Sequence, residues 1–279
     1  MSILTTRQGS LRLVDASKIH ARGALYVAEA RVRIMLKWIW MILGIAVANP
    51  ILYLISVGIG LGGLIDESAG PAGVDGVKYL IFLAPALLAQ AAILGAMDET
   101  VFPTIEGFKW HKTFYSMNST PLTGNQIAIG VFLAAFVRTI YTVLLYFIVM
   151  WFFGALDSPK AWLAIPTAIF AGISFGALMQ SVAAKLENVN IFFVVLGRFI
   201  MMPLFLFSGT FFPLTSMPFF LQWIGWISPL WHATELGRYL TYGHAISSAM
   251  MWIHFLVLAT MLIVGLYLSA RIFTRRLTK

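Results

Sequence analysis

Apolar residues in this chain fall into long unbroken runs, with none of the two-residue alternation of half-buried strands. Six runs, at residues 38–63, 79–97, 127–153, 161–183, 191–212 and 248–270, are near or above the ~20 residues a helix needs to cross a hydrocarbon core. Membrane barrel strands are only about 10 residues long and alternate, so the pattern predicts an all-α integral membrane protein with six transmembrane helices. Ahead of the first run, Ser17 is placed to cap a helix continuing through Lys37. Lys18, Arg22, Glu29, Arg33 and Lys37 share one face of it, and Leu25, Ala28, Val32, Met35 and Leu36 form the opposite stripe. A basic amphipathic helix beside a span is expected to lie in the membrane interface, and its charge also serves as a topology anchor.

Composition agrees. Of the 279 residues, 60% are hydrophobic and 11% charged, with a mean hydropathy of +0.87, against about 45–50% apolar and about 25% charged in soluble domains. That balance excludes a water-soluble enzyme or nucleic-acid-binding domain. Cysteine is absent, so disulfides, thiolate metal sites and cysteine nucleophiles are excluded. The first 37 residues are polar and basic, and the first apolar run is too long for a cleaved signal peptide.

The net charge of +8 matters through its placement. Of 19 Lys and Arg, fourteen fall in the N-terminal segment, the 98–126 loop, the 184–190 loop and the tail. Three (Lys78, Lys160 and Arg238) fall in the other loops, and Arg138 and Arg198 lie inside runs. The bias places both termini in the cytoplasm.

Two connecting segments are unusual. The 98–126 loop mixes Asp98, Glu99, Glu106, Lys109 and Lys112 with Phe102, Phe108, Trp110, Phe114 and Tyr115, between Pro103 and Pro121. It is expected to hold a short helix whose aromatic groups dock a partner or rest at headgroup depth. The external 213–247 segment is apolar but broken by Pro213, Pro218 and Pro229 into pieces too short to span. It reads as a re-entrant helical pair packed on the bundle, where its irregular backbone can find partners.

Most motifs are weak. Gly58-x-Gly60-x-x-Gly63 matches a dinucleotide fingerprint only as a string, with no strand before it. Gly58-x-x-x-Gly62 and Gly172-x-x-x-Gly176 suit close helix packing, within the subunit or, through the first span, between copies. No phosphate-binding loop or HExxH metal motif occurs. His232 and Glu235 read as a solvated or capping pair, and Asn118-Ser119-Thr120 as a glycosylation string on the wrong side. An intramembrane arginine costs at least about 2.5–3.5 kcal/mol, so Arg138 should contact an anionic substrate, helix carbonyls or a carboxylate such as Glu99. Arg198 can snorkel. Asn49-Pro50 and Pro85 predict kinks.

Three stretches carry a resemblance: Asn49-Pro50-Ile51-Leu52-Tyr53-Leu54 before a glycine cluster; Glu106-Gly107-Phe108-Lys109-Trp110 with Met117 and Thr120-Pro121-Leu122; and residues 205–218 followed by Ile227-Ser228-Pro229-Leu230-Trp231-His232 and Glu235-Leu236-Gly237-Arg238. Together they resemble the permease subunit of type-2 ABC exporters, in the branch of nodulation-factor and daunorubicin-type exporters. The resemblance implies a homodimer, each copy docking a separate ABC ATPase subunit (two copies in all) that binds ATP and Mg, with no cofactor in this chain. It implies docking through Glu106, Phe108, Lys109, Trp110, Lys112 and Tyr115, with the interfacial helix alongside. The path would run at the dimer axis, past the first, second and fifth spans, with Asn49, Tyr53, Arg138, Phe207 and Phe211 as candidate contacts. The implied protein is a multi-pass permease of the bacterial plasma membrane, not itself an enzyme, exporting a drug, lipo-oligosaccharide or polyprenyl-linked glycan. An ion-coupled secondary transporter is the alternative, but it calls for carboxylates at mid-span and internal repeats. An integral membrane enzyme would need a polar catalytic cluster, and none can be assembled.

Overall fold

A computed structural model describes residues 16–70, 73–186 and 189–278, with side chains omitted for 16–20, 189 and 190. Arg7, Arg12 and the side chain of Lys18 therefore lie outside the described residues. The described residues form helices joined by turns, with no strand beyond an isolated bridge between Val74 and Val77. We label the helices α1 (Ala16–Lys37), α2 (Ile39–Ala69), α3 (Tyr79–Trp110), α4 (Thr113–Asn118), α5 (Gly124–Phe152), α6 (Ala161–Lys185), α7 (residues 189–207), α8 (Phe219–Ile227), α9 (Pro229–Thr241) and α10 (Ser248–Leu277).

Five of these (α2, α3, α5, α6 and α10) are long and apolar enough to cross a membrane. The fifth apolar run forms a shorter helix than 191–212 suggests. Its apolar part, Ile191–Phe207, has 17 residues, about 25 Å at 1.5 Å per residue. The chain then bends over 208–212 before Pro213.

The long helices outrun the apolar runs. α3 continues past Met97 to Trp110, passing Pro103 and widening into π-helical turns over Glu106–Trp110. The end expected at 97 is absent because Asp98 and Glu99 are paired across helices and do not need to leave the bundle. α2 extends to Ala69 and is π-helical over Leu54–Leu61, just after Pro50. Proline removes one rung of the helix ladder, and the wider turns follow directly. α5 opens on a reciprocal cap between Thr123 and Gln126.

α3 is the axis of the bundle. Phe82, Leu83, Ala84, Leu87, Leu88 and Ala92 are buried along it, against α5 and α6. Small residues allow the approach: a Cβ on Gly172 would meet the Ala92 carbonyl, and one on Gly176 would meet Ala96. Gly58 lies against Leu80, and Gly62 against Tyr79. Both glycine pairs thus pack helices within the subunit. α7 packs on α3 through Phe192 and Leu196. α10 lies along α6 and α5, and α9 on α3 and α6.

α1 differs from the expected stripe. Its packed face is Gly23, Val27, Arg31 and Met35, set against α5, where Gly130 leaves room for Val27 and the Ala24 carbonyl. Leu25 and Leu36 are exposed. A two-sided pattern cannot separate three surroundings (protein, lipid and water), and here the apolar residues divide between a packed face and an exposed one.

Candidate functional site

The structure offers three candidate sites: the α3–α4 turn with α1, a polar cleft among α2, α3 and α5, and the face around α9.

At the α3–α4 turn, Phe108 is buried among Phe114, Tyr115 and Phe273, with the Arg276 guanidinium 4.3 Å above its ring. Asn118 donates to the Leu277 carbonyl and Arg276 to the Ala184 carbonyl, which ties α4, α10 and α6 together. Phe108 therefore holds the turn in place and is not itself at its surface. Trp110, Lys112 and Tyr115 are exposed and Lys109 half-exposed, with Trp110 stacked on Phe193 of α7. Lys112 adopts a left-handed backbone, φ 54°, which turns the chain sharply from α3 into α4.

α1 is joined to this turn by one cation. Arg31 donates to Glu99 at 2.9 Å and 3.0 Å and to Glu106 at 3.3 Å, and Glu106 also meets His111 at 3.0 Å. Nothing in the sequence marks Arg31 off from its neighbours, because the pairing depends on which face of α1 meets α5. Arg22, Arg33 and Lys37 are exposed away from that face, with Arg33 bridged to Glu29 along the helix.

The cleft has a volume of about 240 Å³ and is lined by α2, α3 and α5. Asn49, Tyr53 and Arg138 line it together, and Gln90, Thr142 and Tyr146 join them. Arg138 pairs with Asp98 at 2.7 Å, not with Glu99, which Arg31 occupies. Phe211 reaches the cleft wall only indirectly, packing on Phe205, whose ring meets Tyr53 edge-on. Phe207 lies with Leu214, Met217 and Trp231, apart from the cleft. Arg198 is exposed on α7 and makes no ion pair among the described residues.

The face around α9 corrects two readings. Arg238 is not a loop cation. It is 1% exposed, with its guanidinium 3.7 Å from the centre of the Phe82 ring, and it donates to the carbonyls of Gly209 and Phe82 and to Glu235. His232 is not a solvated partner of Glu235. It is buried against His254, with Nδ1 to Nδ1 2.7 Å, and its Nε2 contacts the Trp226 carbonyl. Pro229 opens α9 under a Ser228 cap, and Pro218 precedes α8. Pro213 sits at the bend before them. His244 bridges Asp75 at 2.6 Å and Glu235 at 3.3 Å. Its hydrogen bond to Glu235 raises its pKa above the usual histidine range, against the opposing effect of burial. Tyr242 donates to Asp75 beside it.

Residues 30–242 match the ABC-2 type transporter family. The chain belongs to that family. Among its relatives, Nodulation protein J of Rhizobium leguminosarum bv. viciae is 27% identical over 232 residues, covering 83% of this chain and 86% of that one. Nodulation protein J of Rhizobium meliloti (strain 1021) is 25% identical over 82% of this chain and 84% of its own length. A probable multidrug ABC transporter permease of Escherichia coli K12, YbhR, is 29% identical over 58% of this chain and 44% of its own length. ABC-2 chains are membrane subunits of transporters, distinct from the ATPase. The chain is therefore a multi-pass membrane permease, and its family implies an ABC ATPase subunit as partner.

Proposed function

We propose that this ABC-2 permease is the membrane half of an ATP-driven exporter of an amphiphilic or lipid-linked compound. Two copies would form the membrane unit, and each would seat one ATPase that binds ATP and Mg. The observation that carries the reading is the exposed, partly cationic turn at Lys109, Trp110, Lys112 and Tyr115, braced from behind by Phe108 and tethered to α1 through Arg31. An exposed Trp beside cations on a rigid support suits a partner protein. The charge bias puts this turn, both termini and the exposed Arg22, Arg33 and Lys37 on the cytoplasmic side of the bacterial plasma membrane.

In this arrangement α7 is the fifth of six spans, short enough to need local thinning or the support of its neighbours. α8 and α9 enter the outer leaflet as a re-entrant pair held by Arg238. The second copy meets α2 and α7, where Trp40, Leu52, Ile59, Phe199 and Met202 are exposed, and the path runs between the copies.

The test is co-purification with the partner ATPase. Glu106 is a poor target because it also holds Arg31. Lys109→Glu with Lys112→Glu should lower ATPase recovery about tenfold or more while the permease still elutes as a folded species. Undiminished recovery would refute the docking assignment.

A further inference from the structure

We infer that the groove among α6, α9 and α10 binds one phospholipid with an anionic headgroup, an acyl chain lying in the groove and the phosphate held at its rim by Lys160. The site is separate from the cleft and from the docking turn, and it does not depend on the exporter reading.

The groove has a volume of about 480 Å³, within the ~300–1,000 Å³ of ligand pockets. Pro166 and Phe170 of α6, Leu236 and Leu240 of α9, and Met251 and Phe255 of α10 wall it. Phe170 and Phe255 stack at 5.2 Å, which joins α6 to α10 there. Thr167, Tyr239 and Trp252 supply the polar atoms of the lining, and the Thr167 hydroxyl already donates to the Leu163 carbonyl at 2.9 Å. An oxygen-rich ligand would find few partners in this groove, whereas a hydrocarbon chain needs none. α10 is exposed at Trp252, Leu256, Ile263 and Tyr267. In a multi-pass membrane protein the groove therefore opens on lipid, the source of such chains.

One end of the groove carries the marks of headgroup depth. α6 and α10 both begin there, with Trp162 60% and Trp252 65% exposed near their first turns. Exposed tryptophans at the ends of spans settle at the membrane–water interface. Lys160 stands two residues before Trp162, exposed and without an ion pair among the described residues. Its loop is fastened to the groove wall. The Asp157 amide donates to the Thr241 carbonyl at 3.1 Å, one residue beyond Leu240, and the Ala161–Leu163 turn packs on α9. The nearby carboxylates are engaged elsewhere: Asp157 lines a different cavity with Asp66 and Lys78, and Glu235 is held by Arg238 and His244. The charge left at the rim is the lysine ammonium, on a flexible stem that can lie along apolar surface. A phosphodiester with net negative charge complements it. A zwitterionic head brings an ammonium of its own, which Lys160 opposes.

The test places the purified full chain in phosphatidylcholine nanodiscs. These are doped with one of two phospholipids of equal length, each with a photoactivatable group on its acyl chain: phosphatidylglycerol or phosphatidylcholine. The phosphatidylglycerol probe should label residues 166–170, 236–240 and 251–255 at least about fivefold more than the phosphatidylcholine probe. Lys160→Gln should lower that labelling about three- to tenfold, the size expected of one lysine at an anionic surface, and leave the phosphatidylcholine signal unchanged. Lys78→Gln removes another exposed cation of this end, one that lines the other cavity, and should change neither signal. Leu240→Trp, which fills the groove, should lower labelling by both probes. Equal labelling by the two probes would overturn the inference. So would phosphatidylglycerol labelling indifferent to Lys160→Gln when the variant elutes as a folded species. Labelling by neither probe, with crosslinks from the same residues to a second copy of the chain, would overturn it by making the groove a contact between subunits.

Discussion

Replacing Arg31 by glutamine should unfasten α1 from the bundle. The arginine side chain is 12% exposed and its partner Glu99 5%, while Glu106 is 36% exposed. Removing one member of a buried ion pair costs about 3–5 kcal/mol, because the other charge is left without a partner. An exposed pair is worth about 0–1 kcal/mol. The Glu99 limb belongs to the first class, and the Glu106 limb lies between the two. Some solvent reaches Arg31, so the low end applies, about 3 kcal/mol for Arg31→Gln. Arg33 is the control: its bridge to Glu29 joins side chains 75% and 54% exposed, and Arg33→Gln should cost under about 0.5 kcal/mol. At roughly 2–4 °C per kcal/mol, Arg31→Gln should lower the Tm by about 6–12 °C in nanodiscs, followed by tryptophan fluorescence. Arg31→Gln combined with Glu99→Gln should recover about half of the loss, since the stranded charge is gone. If Arg31→Gln shifts the Tm no more than Arg33→Gln does, the buried joint is not what holds α1.

Two further predictions follow from packing and charge. Gly172→Ala should cost about 2–3 kcal/mol and lower membrane accumulation, because its Cβ would strike the Ala92 carbonyl of α3, whereas Gly44→Ala, in open space on α2, should stabilise by about 0.5–1 kcal/mol. The raised pKa of His244 gives stability that is complete below the usual histidine value of about 6.5 and is lost as pH rises through the higher folded value. The Tm should thus fall as the pH rises above the usual histidine value of about 6.5, and His244→Gln should flatten that slope.

Much of the fold is legible in the sequence because hydrocarbon demands long apolar runs, and five of the six runs coincide with long helices. The ends are not legible. Asp98 and Glu99 look like the edge of a span, and only partners 40 and 68 residues away let the helix continue. The fifth run reads too long because Phe211 and Phe212 carry its apolar character past Ser208, Gly209 and Thr210, yet residues 208–212 bend toward Pro213. At the cleft, Asn49 and Arg138 stand out as polar residues in apolar surroundings, and a proline and a charge flag them. Gln90, Thr142 and Tyr146 carry no such flag, because isolated polar residues in a span show no periodicity until three helices bring them together. Arg238 has the same sequence signature as a solvated loop cation, and only Phe82, 156 residues away, reveals it as buried.

The central claim is that a separate ATPase, seated on the α3–α4 turn, drives an amphiphile through this permease. Inside-out vesicles holding the chain and its partner ATPase measure it most directly, through ATP-dependent uptake of a labelled alkyl glucoside. The account predicts uptake that needs hydrolysable ATP and is lost with Lys109→Glu and Lys112→Glu while both subunits remain in the membrane. Uptake that proceeds without ATP, driven by an ion gradient, would contradict it.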